Sequence, residues 1–375
     1  MSNYKSISKL LFVNGVNTNF GGSVSGAINV WKESFEQENI SYEIFNTIPK
    51  FRFRSKGFLY YLVLVIYFFP GTLFRMFNIQ IFEFFYKVSP FLIISFIYKK
   101  IKYNPPIIIF SHHAIFFLAF FSKKNQRIFL IQDLIYIRAK SKGASRKIQR
   151  IYFSIELFIY KYSPTLFVLS YHEQKILRRF LSSNIYLIRS WGIKVYPNIV
   201  KYDPSRIAVI SDWRRPENIH GVLSFFKKKC EFLDANKILY LNFYGFDSDK
   251  IIRLLKPILQ YHNIVISNAG TFRNLSDIDE GYFFVPIYHG AGIKLKTIEG
   301  IALNRLIIGT KAAFIGLPPW IIRNVIKITN SPEDFSIEIN RPDTVSFISV
   351  NEELSLFFIP IGKAPIFLEN SNILT

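Results

Sequence analysis

The sequence predicts an α/β protein with two Rossmann-like domains facing each other across a cleft. Three observations carry this. Short β-rich runs of roughly four to eight residues alternate with helical stretches, the pattern of parallel strands joined by crossover helices. The alternation occurs as two successive series, separated by the irregular, proline-bearing stretch from Gly192 to Asp203. The 375 residues also exceed one typical core, since domains settle at roughly 100 to 200 residues. The boundaries that follow are 1–195 and 205–375.

In the first series, Lys9 to Val13 is an apolar run ending at Asn14-Gly15, and Gly21-Gly22 precedes a helical stretch from Ser23 to Asn39. This is strand, glycine loop, helix. Ser41 to Phe45 supplies a second strand. Pro106 to Phe110 is a third, stopping at Ser111-His112-His113, and Arg127 to Gln132 repeats the pattern and stops at Asp133. Thr165 to Ser170 follows, with a charged helix from Tyr171 to Leu181.

The second series places strands at Ile207 to Ile210, Ile238 to Tyr244, Asn263 to Ser267, Tyr282 to Pro286 and Leu306 to Gly309. Helices are expected at Glu217 to Phe232, Asp249 to Tyr261 and Lys294 to Leu303. Doubly wound domains bind ligands at the carboxyl ends of their strands.

Half of the residues are hydrophobic, with 40 Phe and 21 Tyr, beside a formal net charge of +21. Such a chain suits anionic partners, either nucleic acid or lipid headgroups. The single cysteine, Cys230, excludes a disulfide framework and fits a reducing compartment. Met1 to Lys9 is polar and carries no export signal, so the expected location is cytoplasmic.

Gly57 to Phe74 has no charge but is interrupted at Pro70-Gly71, and Arg75, Glu83 and Lys87 follow at helical spacings among Phe and Ile. The expectation is a membrane-proximal apolar region over 51–98 that lies in the surface of the bilayer. Its flanks, Arg52, Arg54, Lys56, Lys99, Lys100 and Lys102, suit anionic headgroups. A true span is the competing reading.

The stretch from Tyr282 to Thr310 carries the most chemistry. Its strand ends at Pro286, and Gly290 and Gly292 precede a helix, an arrangement that aims backbone amides and a positive helix end at an anion. Lys294 and Lys296 add charge, and Glu299 lies on the same helix three residues beyond Lys296. Two plain alternatives stand beside this: tight-turn glycines, and a surface ion pair between Lys296 and Glu299.

The segment VPIYHGAGIKLKTIEGIALNRLIIGT resembles the donor site of family 4 nucleotide-sugar glycosyltransferases, bacterial enzymes of the GT-B fold. The resemblance implies that Glu299 binds the ribose hydroxyls. It places Gly290, Gly292, Lys294 and Lys296 around the diphosphate. Many members carry a further Glu facing the sugar where this chain has Ala291, and Leu303-Asn304 stands where an Ala-Gly pair is usual. SDWRRPENIHGVLSFF, Ser211 to Phe226, is similar to the first strand-to-helix junction of the same domain, and its Arg214 and Arg215 suit the forked recognition of phosphate. The likeness is distinctive from Ser211 to Leu317 and weak over the N-terminal half.

There, NFGGSVS resembles the family's glycine loop, with Gly22 bordering the donor phosphates, while His112, His113 and Asp133 occupy strand-end turns where a base would take the acceptor proton. The resemblance thus implies an acceptor-binding first domain, a nucleotide-sugar-binding second domain, and transfer with retention. No metal or cofactor is expected, the nucleotide sugar being a substrate. The basic, aromatic first domain suggests a lipid-linked oligosaccharide acceptor of bacterial surface polysaccharide (lipopolysaccharide, O-antigen or capsule), with the enzyme peripheral at the inner face of the membrane. A basic nucleic-acid-binding protein is the alternative, but no RNA or DNA motif is present and most Phe lie in apolar runs suited to a core. Nucleic acid is therefore not expected as a partner.

Overall fold

The computed structural model describes residues 10–14, 35–36, 41–47, 89–111, 113–141, 143–187, 202–228, 238–288, 292–317 and 326–328. They fall into two compact units, one within Met1–Gly192 and one within Ile193–Phe358. Most of the 51–98 region, the 23–39 helix and the glycine loop with Gly22 lie outside the described residues.

The first unit contains β1 (Leu10–Asn14), β2 (Tyr42–Asn46), α1 (Pro90–Tyr103), β3 (Ile108–Phe110), β4 (Arg127–Ile131), α2 (Ile135–Ser141), α3 (Arg146–Tyr160), β5 (Thr165–Val168), α4 (Tyr171–Leu177) and β6 (Asn184–Leu187). A 3₁₀ segment, His113–Phe121, joins β3 to the turn before β4. The strands form one parallel sheet in the order β2-β1-β3-β4-β5-β6. Every residue of β3, β4 and β5 is buried, as expected of parallel strands covered on both faces. Serines start the helices: Ser89, Ser145 and Ser170 each accept an amide hydrogen bond at the Ncap of α1, α3 and α4. The phenylalanines fill the core, where Phe116 stacks on Phe129 with centroids 4.5 Å apart and Phe110 meets Phe129 edge-on at 5.7 Å.

The second unit contains β7 (Arg206–Ile210), α5 (Pro216–Phe226), β8 (Leu239–Tyr244), α6 (Ser248–Leu259), β9 (Ile264–Gly270), β10 (Tyr282–Val285), α7 (Leu295–Ala302), β11 (Leu306–Gly309) and β12 (Ile326–Ile328). Its parallel sheet runs β12-β11-β10-β7-β8-β9. Pro216 occupies the first turn of α5, where a missing amide costs nothing. Both sheets reverse their direction of growth beside their first strand, between β1 and β3 and between β7 and β10. Ligands bind outside the carboxyl ends of strands at such points.

The structure adds β6 and β12, which sequence reasoning did not anticipate, and ends α4 at Leu177 rather than Leu181. β6 is a partly exposed edge strand, so it lacks the continuous apolar run that marks β4 or β10.

Candidate functional site

The second unit's switch point is built by close backbone approach. A Cβ on Gly221 of α5 would lie 2.2 Å from the Pro286 carbonyl oxygen, just past β10. Gly245 follows β8 with φ +120°, and a Cβ there would lie 1.8 Å from the Ser211 carbonyl oxygen. The turns after β7, β8 and β10 thus touch through positions that admit no side chain.

The loop after β7 is pinned from within. Trp213 is fully buried, its Nε1 donates to the Tyr244 carbonyl at 2.9 Å, and its ring lies 5.5 Å from that of Phe243. Its neighbours remain outside. Arg214 forks onto Asp212, Nε to Oδ1 at 2.8 Å and Nη2 to Oδ2 at 2.9 Å, and lies over the Phe246 ring at 4.5 Å. Arg215 Nε is 3.8 Å from the same carboxylate. The hydrogen bonds from Arg214 hold the Asp212 carboxyl below its usual range, the nearby Arg215 charge adding to the effect. The two arginine side chains are 56% and 62% exposed, so solvent screens their pairing with Asp212. An arriving phosphate can therefore take either guanidinium from Asp212 at little cost.

The other wall is α7. Gly292, with φ +68°, turns the chain toward it, and Lys294 is its Ncap without a side-chain cap hydrogen bond. Thr297 Oγ1 donates to the Ala313 carbonyl at 3.0 Å, and a Cβ on Gly300 would lie 2.5 Å from Ile307 Cδ1, so the helix sits tightly on β11. Lys296 reaches back to β7, donating to the Ile210 carbonyl at 3.1 Å and to Ser211 Oγ at 2.7 Å. Desolvation, with the Lys294 and Arg215 charges adding to it, pushes its ammonium pKa down to about 7. Glu299 is partly buried, and burial raises its carboxyl. No hydrogen bond or ion pair links it to any partner among the described residues, so the surface-pair alternative for Lys296 and Glu299 is not what forms.

Lys294, Lys296, Arg214 and Arg215 thus gather at the carboxyl end of β7, with Gly292 opening α7 and Glu299 three residues beyond Lys296 on that helix, while Gly290 lies outside the described residues. Sequence reasoning did not single out Ser211, which receives Lys296, or Asp212, which holds both arginines. A positive cluster around two turns suits a diphosphate, and a carboxylate with no partner among the described residues suits hydroxyl groups.

In the first unit the backbone amide and hydroxyl of Ser111 both donate to the Val13 carbonyl at 3.1 Å, and Gln132 Nε2 donates to the Ser111 carbonyl at 2.7 Å, tying the ends of β1, β3 and β4. His113 opens the 3₁₀ segment, and His112 lies outside the described residues. Asp133 is held by Arg138, Nε to Oδ2 at 3.0 Å and Nη2 to Oδ1 at 2.6 Å, so acting as a base would require that pair to part. The start of α2 is held by buried carboxylates: Glu173 accepts from the Leu134 amide, and Glu156 from those of Ile135 and Tyr136. Burial raises Glu156 to about 8, against those amide bonds and one from Tyr160.

No protein-family model matches the chain, and no curated protein matches its sequence. Solved structures share its fold. S. aureus TarM, a mutant in complex with fondaparinux, α-GlcNAc-glycerol and UDP, is 15% identical with a TM-score of 0.54 over 76% of this chain. The chain spans only 59% of the TarM length. The apo form of WaaB, a lipopolysaccharide outer core galactosyltransferase, is 11% identical with a TM-score of 0.61, covering 98% of this chain and 99% of WaaB. Anabaena HepE in complex with UDP and glucose is 11% identical with a TM-score of 0.56, covering 97% of this chain and 100% of HepE. The fold is GT-B, with two Rossmann-like domains.

Proposed function

We propose that this chain is a glycosyltransferase that moves a sugar from a nucleotide-sugar donor to a glycan acceptor, with the donor at the carboxyl ends of β7 and β10. The observation that carries this reading is Lys296, bound to the end of β7 at the switch point with the Lys294 and Arg215 charges beside it. Solved neighbours of the same fold that hold UDP support it. The diphosphate lies against Lys296, Lys294, Arg214, Arg215 and the Gly290–Gly292 turn, and the ribose hydroxyls donate to Glu299. As the bond from the anomeric carbon to the phosphate oxygen breaks, negative charge grows on the departing diphosphate, and fixed positive groups stabilise that charge more in the transition state than in the ground state. In the first unit, Gly22 borders the phosphates and His112, His113 or Asp133 takes the acceptor proton.

The finer reading is a lipid-linked oligosaccharide acceptor in bacterial surface polysaccharide synthesis, an enzyme peripheral at the inner face of the membrane, and net retention. A thermal-shift screen against nucleotide sugars tests the donor: a ligand at about 100 times its Kd stabilises the folded state by about 2.7 kcal/mol. A panel of nucleotide sugars and free nucleotides that leaves Tm unchanged would refute the proposal.

Two expected results belong to this site. Glu299→Ala weakens nucleotide affinity about tenfold or more, since hydrogen bonds to a charged acceptor are worth about 1.5 to 3 kcal/mol each. Its Tm stays near wild type because the carboxylate closes no ion pair among the described residues; equal affinities in calorimetric titrations would remove Glu299 from the ribose. The second result concerns pH. Free Lys296 is about half protonated near pH 7, and a bound diphosphate favours its ammonium form, so binding takes up a proton. Affinity therefore falls as pH rises above about 7, toward tenfold per unit, until the pKa of the bound state is passed. Titrations in buffers of different ionisation enthalpy read the uptake, and Lys296→Met abolishes it.

A further inference from the structure

The first unit carries a second feature, away from the carboxyl ends of its strands. α1 is apolar on two sides. Leu92 and Phe96 are buried in the core, while Ile94, Tyr98 and Ile101, at spacings of four and three, are 65%, 65% and 74% exposed. A second group of exposed aromatic side chains flanks the helix. Lys100 Nζ donates to the Phe121 carbonyl at 2.6 Å, which brings the end of α1 to the exposed Phe120 and Phe121. Phe120 meets Tyr162 at 5.5 Å, Tyr162 meets the exposed Phe158 of α3 at 5.2 Å, and Lys161 Nζ lies over Phe158 at 4.7 Å.

These groups lie where α1, the 3₁₀ segment and α3 lead into the first residues of β3, β4 and β5. Ile101, Phe120, Phe121 and Phe158 therefore lie toward the amino-terminal edge of the sheet, opposite the Ser111 and Asp133 turns, and Tyr98 and Ile94 extend the exposed apolar surface back along α1. Its charge has one sign. Between Ser89 and Gln132 the chain has no Asp or Glu, and Lys102, Lys123, Lys124 and Lys161 are exposed beside the apolar groups.

We infer that this strip is a docking surface for an anionic lipid bilayer, with Ile94, Tyr98, Ile101 and Phe120 entering the headgroup boundary and the lysines meeting phosphate. Apolar side chains interleaved with lysines whose stems can lie along the surface match that boundary. A second copy of the chain would face these lysines with the same lysines, which opposes self-docking. The inference rests on the peripheral-membrane reading above and gives it a surface made of residues other than those of the donor site.

Flotation of the full chain with vesicles tests it, using phosphatidylcholine containing phosphatidylglycerol against phosphatidylcholine alone. Wild type is expected to bind the anionic vesicles and to be released by salt. Lys102→Glu/Lys124→Glu is expected to lose tenfold or more in partitioning, since each lysine near an anionic surface is worth about fivefold. Ile94→Ser/Ile101→Ser is expected to lose a comparable factor that salt does not reproduce. All four side chains are exposed, so Tm and nucleotide affinity stay at wild-type values, which separates failure here from failure of the donor-site reading. Wild-type partitioning of both double variants would overturn the assignment. So would equal binding to both vesicle types, or a concentration-dependent dimer in sedimentation that the isoleucine variant dissolves.

Discussion

Exchange of Lys296 for methionine is expected to lower kcat/KM by about a hundredfold to a thousandfold, the usual loss when one fixed group stabilising transition-state charge is removed. Methionine keeps the length and apolar stem and deletes the ammonium, so the effect reports charge rather than packing. Two stability terms oppose each other. The Ile210 carbonyl and Ser211 hydroxyl lose a donor, at about 1 kcal/mol, while the desolvation that lowers the lysine's pKa is relieved. Tm should therefore change by only a few degrees. The loss should fall in kcat more than in KM, because the leaving diphosphate carries more charge than the bound donor. A folded variant with wild-type kcat/KM would place Lys296 outside the reaction.

Gly221→Ala should unfold the second unit more readily, by roughly 3 kcal/mol or more. The sign is the informative part. In an ordinary helix interior, glycine to alanine stabilises by about 0.5 to 1 kcal/mol. In α5 the added methyl would meet the Pro286 carbonyl oxygen at 2.2 Å. That oxygen belongs to the backbone at the end of β10, so relief requires moving α5 off the sheet, and overpacking of this kind opposes and exceeds the propensity gain. Chemical denaturation of wild type and variant measures it. A stabilised variant would show that the α5 contact with β10 is looser than the 2.2 Å approach.

The β10, α7 and β11 region was readable because it is local. YFFV and LIIG are fully buried strands, which appear in sequence as unbroken apolar runs, and the intervening glycines and charges sit at fixed short spacings. What was hidden is set by distance or loop shape. Lys296 finds Ser211 across 85 residues, and nothing near either residue announces the other. The Asp212 clasp on Arg214 uses a two-residue spacing that shares a face only on a strand, and both residues lie beyond the end of β7, so only the shape of that loop reveals it. Arg138 holds Asp133 in the same way, across five residues. α1 was hidden for another reason: a helix apolar on two sides looks in sequence like a buried one, and only its packing separates Leu92 and Phe96 from Ile94 and Ile101.

The strand order of the second unit also governs how it is made. During synthesis β7, β8 and β9 emerge first and can pair with one another, leaving the β10-facing edge of β7 open. That edge belongs to the buried apolar run IAVI and carries none of the lysines or prolines that guard natural sheet edges. Only when β10 and α7 have left the ribosome can the sheet close and Lys296 reach the Ile210 carbonyl, 86 residues back along the chain. The nascent protein is therefore most prone to aggregation just before its phosphate-binding cluster assembles, and a ribosome stalled between β9 and β10 holds it in that state.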